Sequence, residues 1–373
     1  MKRVALYFKR FRLKSFNYWL VIAVMALNLF GIAVVTSANE NYQKLEIGGM
    51  VAGILIMLVL SLVDYNFLIR LRWVFYVLAV ILLLAVIVAG DSGGGATRWI
   101  EIGSLRFQPS EIVKIMMILF FSGFFSAHEV DVSDWKIFFS SIVLIGIPLI
   151  LIYKEPDLST TIIVSLIFVA LYFVAGLSYK IIGILALIGI PSAGIFFYLI
   201  TRENQTILEE YQYGRVMSFI HPEQYPDQFY QQENAIIAIG SGGLLGKGLN
   251  NVDPMSVKNG NYISEPHTDF IFAIVGEELG FRGAMLLIFL LFLIVVLCII
   301  IAKKSKNLAG RLICTGVAAY IGFQSVVNMG VVTGILPNTG LPLPFVSYGL
   351  TSLISSYIAM GLVLNVSLQP NKR

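Results

Sequence analysis

Gly283-Ala284-Met285-Leu286-Leu287-Ile288-Phe289-Leu290-Leu291-Phe292-Leu293-Ile294-Val295-Val296-Leu297-Cys298-Ile299-Ile300-Ile301-Ala302 carries no charged side chain from end to end. A helix of roughly 20 apolar residues spans the ~30 Å hydrocarbon core of a bilayer. An open strand there leaves its backbone groups unsatisfied. Working outward, similar runs place spans at Asn17–Ser37, Ile47–Val63, Trp73–Ala89, Glu111–Ser126, Ile137–Tyr153, Leu158–Ala175, Ile181–Ile200, Phe270–Ala302, Leu312–Gly334 and Pro344–Leu364. The eighth is too long for one perpendicular crossing. It begins as a helical extension outside the core, and Gly276, Gly280 and Gly283 offer it places to kink or to admit a neighbour.

Composition agrees. The chain is 57% hydrophobic and 13% charged, about half the charge of a soluble domain. The fold class is therefore all-α integral membrane protein, with residues 1–373 forming one polytopic membrane domain. The basic start resembles the n-region of a signal peptide, but the following span lacks a small-x-small cleavage site and reads as an uncleaved first helix. Cys298 and Cys314 lie in apolar runs and read as reduced core residues. His128, His221 and His267 show no metal-ligand spacing.

Ten crossings put both termini on one side. The N-terminus and the connections on that side (Arg70/Arg72, Lys136, Lys180, Lys303/Lys304/Lys306/Arg311, Lys372/Arg373) hold 16 of the 26 Lys and Arg. The positive-inside rule makes that side cytoplasmic. Its loops are too short for an ATPase domain, which argues against energy from cytoplasmic nucleotide hydrolysis. On the other side lie Gly90–Ser110 and the large extracytoplasmic loop of residues 201–268, between spans seven and eight. The large loop is too rich in Tyr, Phe and aliphatic residues for disorder, and reads as interfacial helices or a cap.

Several segments carry candidate chemistry. Gly240-Ser241-Gly242-Gly243-Leu244-Leu245-Gly246-Lys247-Gly248 lacks the spacing of a Walker A or Rossmann loop. It reads either as a turn for close backbone approach or as a loop lining a diphosphate or sugar site. Gln108-Pro109-Ser110-Glu111 is a helix start, and Lys114 follows Glu111 by three, on the same face. A lysine this deep must pair, and facing a polar cavity suits it best. Glu278 and Arg282 are spaced as an i, i+4 clamp. Asp269, in Pro266-His267-Thr268-Asp269-Phe270, has no oppositely charged neighbour in sequence; it reads as a helix cap or as a carboxylate kept at the interface for chemistry. Glu155-Pro156-Asp157-Leu158 reads as a tight turn whose acids cap the next helix.

Together these segments resemble the SEDS family (shape, elongation, division and sporulation proteins). The pieces are Gly95-Ala96-Thr97-Arg98-Trp99-Ile100, Phe107-Gln108-Pro109-Ser110-Glu111 with Lys114, Glu155-Pro156-Asp157-Leu158, Ala238 to Leu244, His267 to Gly280, and Pro344-Phe345-Val346-Ser347-Tyr348-Gly349. They run in family order over nearly the whole chain. Lys154 to Asp157 and Gly246-Lys247-Gly248 look more like the elongation branch, RodA, than the division branch, FtsW. Leu350-Thr351 departs from the family's pattern, and Asn250–Glu265 matches none.

The resemblance implies a peptidoglycan glycosyltransferase with ten transmembrane helices in the bacterial cytoplasmic membrane. It would polymerise lipid II at the outer face. It implies Asp269 as the essential acid, read here as general base, with Glu111, Lys114 and Trp99 as site residues and His267 beside them. Arg98, Lys114, Arg215 and Lys247 are the cations available to a departing diphosphate; a divalent metal, Mg or Mn, held by Asp269 and the diphosphate is the alternative. A class B penicillin-binding protein is the implied partner, within an elongation or division complex; nucleic acid is not. A division or sporulation paralogue, a lipid II flippase or transporter, and a scaffold for a transpeptidase are the competing readings. A flippase needs a polar path to the cytoplasmic face, whereas the intramembrane charges cluster in the outer halves.

Overall fold

The computed structural model describes residues 11–93, 96–102, 105–202, 205, 208–252, 254, 256, 259–260 and 262–370. Its helices are α1 (Tyr18–Ala38), α2 (Gln43–Ser61), α3 (Tyr65–Arg70), α4 (Arg72–Ala89), α5 (Pro109–Ala127), α6 (Trp135–Lys154), α7 (Leu158–Ala175), α8 (Tyr179–Ile200), α9 (Glu210–Ile220), α10 (Pro226–Gly242), α11 (Ile271–Lys304), α12 (Leu308–Val332) and α13 (Leu350–Leu368). Among the described residues ten helices are long and apolar enough to cross a membrane: all of these except α3, α9 and α10. Side-chain caps set several starts. Asn17, Asp157, Ser178 and Asn307 each accept from the backbone N–H three residues on, meeting a donor that the first turn leaves open.

The bundle has a centre and a rim. Windows of α13 and α5 are 83% and 78% buried within the protein, against 7% for α8, which therefore faces its surroundings almost all round. Small residues bring α2 and α13 together. A Cβ on Gly53 would overlap the Tyr357 ring, and one on Gly361 would press on Met57, the close approach that drives helix association in lipid. Asn365 of α13 donates to the Ser61 carbonyl at 2.7 Å and accepts from the Tyr65 N–H at 2.9 Å.

Three features differ from the sequence reading. The tenth span begins at Leu350 rather than Pro344, because Gly334–Gly349 runs back into the bundle without helical structure. Non-helical backbone at such a depth has to find partners within the protein. Side chains supply them: Gln232 donates to the Leu336 carbonyl (2.8 Å), Ser159 to Thr339 (2.5 Å), Asn328 to Leu341 (2.7 Å), Gln324 to Pro342 (2.8 Å) and Asn28 to Phe345 (2.9 Å). Second, the segment before α5 forms a three-stranded antiparallel sheet, β1 (Asp91–Gly93), β2 (Ala96–Ile102) and β3 (Leu105–Phe107), an addition to the all-α expectation. Trp99 pairs with Asp91, and Ile100 with Phe107.

Third, α11 is broken at Gly280, whose φ of 63° and ψ of −162° leave the helix. The glycine-rich stretch fills the break. Lys247 and Gly248 N–H donate to the Glu277 and Glu278 carbonyls (2.9 and 2.8 Å), while Phe281 N–H donates to Gly243 (2.9 Å) and Arg282 N–H to Leu244 (3.3 Å). A Cβ on Gly242 would overlap the Gly276 carbonyl oxygen, and one on Gly246 the Glu278 carbonyl oxygen. The glycines thus permit backbone-to-backbone approach and repair a helix; they do not line the cavity described below. The i, i+4 clamp expected between Glu278 and Arg282 straddles this break. Glu278 Oε2 instead accepts from the Ser37 hydroxyl at 2.5 Å, and Arg282 is exposed.

Candidate active site

The connections at one end of the bundle enclose a cavity of about 1300 Å³. Its wall comes from the α1–α2 connection, the sheet, the α6–α7 turn, α9 and α10, the segment before α11, and Gly340 to Ser352. Asp269 lies at the mouth of α11 and is half-buried. The residue is held at its side chain and at its backbone. Thr268 Oγ1 donates to Asp269 Oδ1 at 3.0 Å, and Asn328 Nδ2 donates to the Asp269 backbone carbonyl at 2.7 Å. A Cβ built on Gly340 would lie 3.4 Å from Arg215 Nη1 and 3.6 Å from Asp269 Oδ2. The guanidinium of α9 and the carboxylate therefore flank one point in the cavity. Burial pushes the Asp269 carboxyl above its ordinary proton affinity, and the nearby Arg215 cation and the Thr268 hydroxyl oppose that rise.

His267 is buried and lines the same cavity. Burial pushes its imidazole below its usual value, which favours the neutral ring. Its ring stacks on Tyr42 (centroids 4.6 Å apart), which in turn meets Tyr348 at 4.1 Å. Its Nε2 has no hydrogen-bond partner among the described residues. On another wall, β2 presents Trp99 and Arg98. Arg98 donates to the Pro156 carbonyl and stands 4.0 Å from Asp157, bracing the α6–α7 turn. Asp157 caps α7 as its sequence suggests, accepting from Thr160 N–H at 3.1 Å.

Of the eight expected site residues, Asp269, His267, Arg215, Trp99 and Arg98 meet at this cavity. Three do not line it. Lys247 is committed to Glu277, Nζ to Oε1 at 2.8 Å, beside the α11 break. Glu111 and Lys114 pair at 2.8 Å but are 1% and 0% exposed, so they are sealed in the protein instead of facing open space. Lys114 Nζ also donates to Gln324 Oε1 at 2.6 Å and sits over the Tyr320 ring. Gln324 donates onward to the carbonyl of Pro342, which does line the cavity. The pair lies one layer beneath the wall. Tyr348, read from the Pro344 to Gly349 motif as a hydroxyl at the top of the bundle, lines the cavity, whereas Tyr42, Gln324 and Asn328 escaped the sequence reading. The two amides left a signal, being polar side chains four apart within an apolar span.

The family model described as cell cycle protein, FtsW/RodA/SpoVE, matches residues 15–372. The chain belongs to this SEDS family. It is 33% identical over 351 residues to the peptidoglycan glycosyltransferase MrdB of Escherichia coli K12, covering 93% of this SEDS chain and 92% of that protein. It is 32% identical over 374 residues to the probable peptidoglycan glycosyltransferase FtsW of Coxiella burnetii, with 95% and 96% covered. Among solved structures, it resembles a chain of a peptidoglycan synthase complex that coordinates polymerization and crosslinking (TM-score 0.77, 27% identity, 94% of this chain and 97% of that one). It also resembles the rod shape determining protein RodA of Thermus thermophilus (TM-score 0.71, 26% identity, 96% and 98%).

Proposed function

We propose that this protein is a peptidoglycan glycosyltransferase of the bacterial cytoplasmic membrane, polymerising lipid II into β-1,4 glycan strands at the outer face. The observation that carries the reading is the half-buried Asp269 carboxylate sharing one point of a large cavity with the Arg215 guanidinium. The basic-residue count supports putting the cavity end outside, with both termini cytoplasmic. Gln324 and the buried Glu111–Lys114 pair behind Pro342 close the cavity wall there, which favours a surface enzyme over a flippase path.

In the reaction, the Asp269 carboxylate takes the proton of the acceptor sugar's 4-hydroxyl. That oxygen attacks the anomeric carbon of the donor. The bond from the anomeric carbon to the diphosphate oxygen breaks on the opposite face, so an α-linked donor becomes a β-linked product. The polyprenyl diphosphate leaves with the electron pair, and Arg215, aided by Arg98 at the rim, stabilises its charge. Trp99 and neutral His267 orient sugar rings. No group of three or more His, Cys, Asp or Glu stands together as a metal cage among the described residues; a divalent ion, which would add charge stabilisation at the diphosphate, would be held by Asp269 and the substrate itself.

Lys154 to Asp157 and Gly246 to Gly248 support a role in elongation and rod shape. Relatives from the MrdB and FtsW groups match at nearly equal identity, so a division or sporulation role shares the same chemistry. Similarity to a chain of a synthase complex supports a class B penicillin-binding protein as partner. The test is glycan polymerisation from purified lipid II, with moenomycin present to silence classical glycosyltransferases, with and without the cognate transpeptidase. D269N, folded and at normal level, should lose about 10²- to 10⁴-fold of the rate. Normal chains from D269N would remove Asp269 as base. No chains in any reaction would move the protein to the transport or scaffold readings.

A further inference from the structure

The neutral amides of α12 stand against the non-helical backbone of the site. Asn328 is 1% exposed, and its Nδ2 donates at 2.7 Å to two carbonyls, those of Asp269 and Leu341. One amide group thus ties the start of α11 to the non-helical Gly334–Gly349 segment. Both partners are acceptors, so the amide must present its NH₂ to them, and an aspartate in its place could not serve both. Gln324 lies four residues earlier on the same face of α12. It is fully buried, donates to the neighbouring Pro342 carbonyl at 2.8 Å, and is itself gripped by Lys114 at 2.6 Å. Carbonyls left without donors in so dry a layer cost free energy, which holds this arrangement to one geometry.

We infer that Asn328 and Gln324 are positioning residues for Asp269: a two-amide clamp that fixes the backbone of the base and of the facing Leu341–Pro342 wall. The buried Glu111–Lys114 pair anchors the clamp from behind through Gln324. This assigns Lys114 a task its full burial permits, whereas contact with a diphosphate would require it to reach the cavity. Asp269 and Gly340, beside Arg215, are neighbours across the clamp, so releasing it changes the spacing between base and cation. The inference rests on Asp269 being the base.

The test uses the full-length protein and N328L, which keeps the side chain's size and branching but removes both donors, with Q324M as the second variant. Two readouts are taken. In lipid II polymerisation, N328L should lower kcat about 10- to 100-fold, as misplacement of a catalytic group by about 1 Å does, with KM for lipid II within twofold. Q324M, which frees only the Pro342 carbonyl, should act in the same direction but less. In hydrogen–deuterium exchange, amides of 267–272 should exchange at least tenfold faster in N328L while those of 353–366 stay unchanged. A general loss of packing would speed both segments. Wild-type kcat in N328L, or unchanged exchange at 267–272, overturns the inference. If the wild type forms no glycan at all, the glycosyltransferase reading fails, and exchange still decides whether the clamp exists. If N328L does not fold, Q324M carries both readouts: slower turnover at constant KM with faster exchange at 340–343 supports the clamp, and the absence of either change overturns it.

Discussion

Replacing Glu155 with Gln should make the protein's thermal stability less sensitive to rising pH. Glu155 sits in the α6–α7 turn, 1% exposed, with neither carboxyl oxygen hydrogen-bonded among the described residues. Burial, with the Asp157 carboxylate adding to it and Arg98 opposing, pushes its pKa from 4.5 up to about 9. The folded protein therefore keeps this proton where the unfolded chain has released it. Because the folded state binds the extra proton, this group's contribution is fully present below 4.5 and is lost as pH rises toward 9. Each unit inside that window removes about 1.4 kcal/mol, hence about 3 kcal/mol between pH 6 and pH 8. With an unfolding entropy of about 2.1 cal/mol/K per residue, a chain of this length shifts roughly 1.3 °C per kcal/mol. The E155Q side chain does not titrate. Thermal unfolding of both proteins in detergent, followed by tryptophan fluorescence, should show the Tm advantage of E155Q over wild type growing by about 4 °C from pH 6 to pH 8. All other titrations cancel in this difference. Parallel Tm curves within 1 °C, or a wild type that gains on the variant as pH rises, would refute the argument that Glu155 is held protonated.

Two further outcomes follow from the cavity and from the break in α11. Asp269 must be ionised to act as base, and burial raises its proton affinity; the acid limb of kcat/KM should therefore lie above 3.8, the ordinary aspartate value. R215A removes the cation that opposes this rise, so its acid limb should move to still higher pH as the maximal rate falls, read from pH–rate profiles of lipid II polymerisation. In the glycine-rich stretch, G242A drives a methyl into the Gly276 carbonyl and should cost about 1–3 kcal/mol or more. G240A meets nothing within 4 Å and should leave the stability unchanged to within about 0.5 kcal/mol, a contrast that thermal unfolding measures directly.

The spans were legible because apolar length is a one-dimensional property, and nine of the ten begin within a few residues of their reading. The tenth was misplaced because Pro344 to Tyr348 is as apolar as a helix; only partners far along the chain show that its carbonyls are met by side chains. The sheet was hidden because its strands are short and bounded by glycines. At the site, Asp269, His267, Arg98 and Trp99 were found through motifs, but depth was not. Charge in an apolar run correctly required a partner for Lys114, and the i, i+3 spacing supplied Glu111; whether that pair faces open space or solid protein depends on Gln324 and Tyr320 from another helix.

The glycine loop failed in a related way. Its composition allowed either a ligand or a neighbouring backbone to approach, and the choice was made by Gly280, a residue on another helix. These misses share a physical cause. A charge in lipid announces itself by its cost, so reading for charge finds the carboxylates and cations. A backbone carbonyl released by a broken helix costs nearly as much to leave unpaired, but it is invisible in sequence because every residue has one. Its trace is the neutral donor that meets it: Asn28, Ser159, Gln232, Gln324 and Asn328 all sit in or beside apolar spans, and each serves a carbonyl of the 336–345 segment. Asn328 serves the carbonyl of Asp269 as well. In a bundle like this one, amides and hydroxyls in otherwise apolar spans therefore mark where non-helical backbone is held, and here that backbone carries the site.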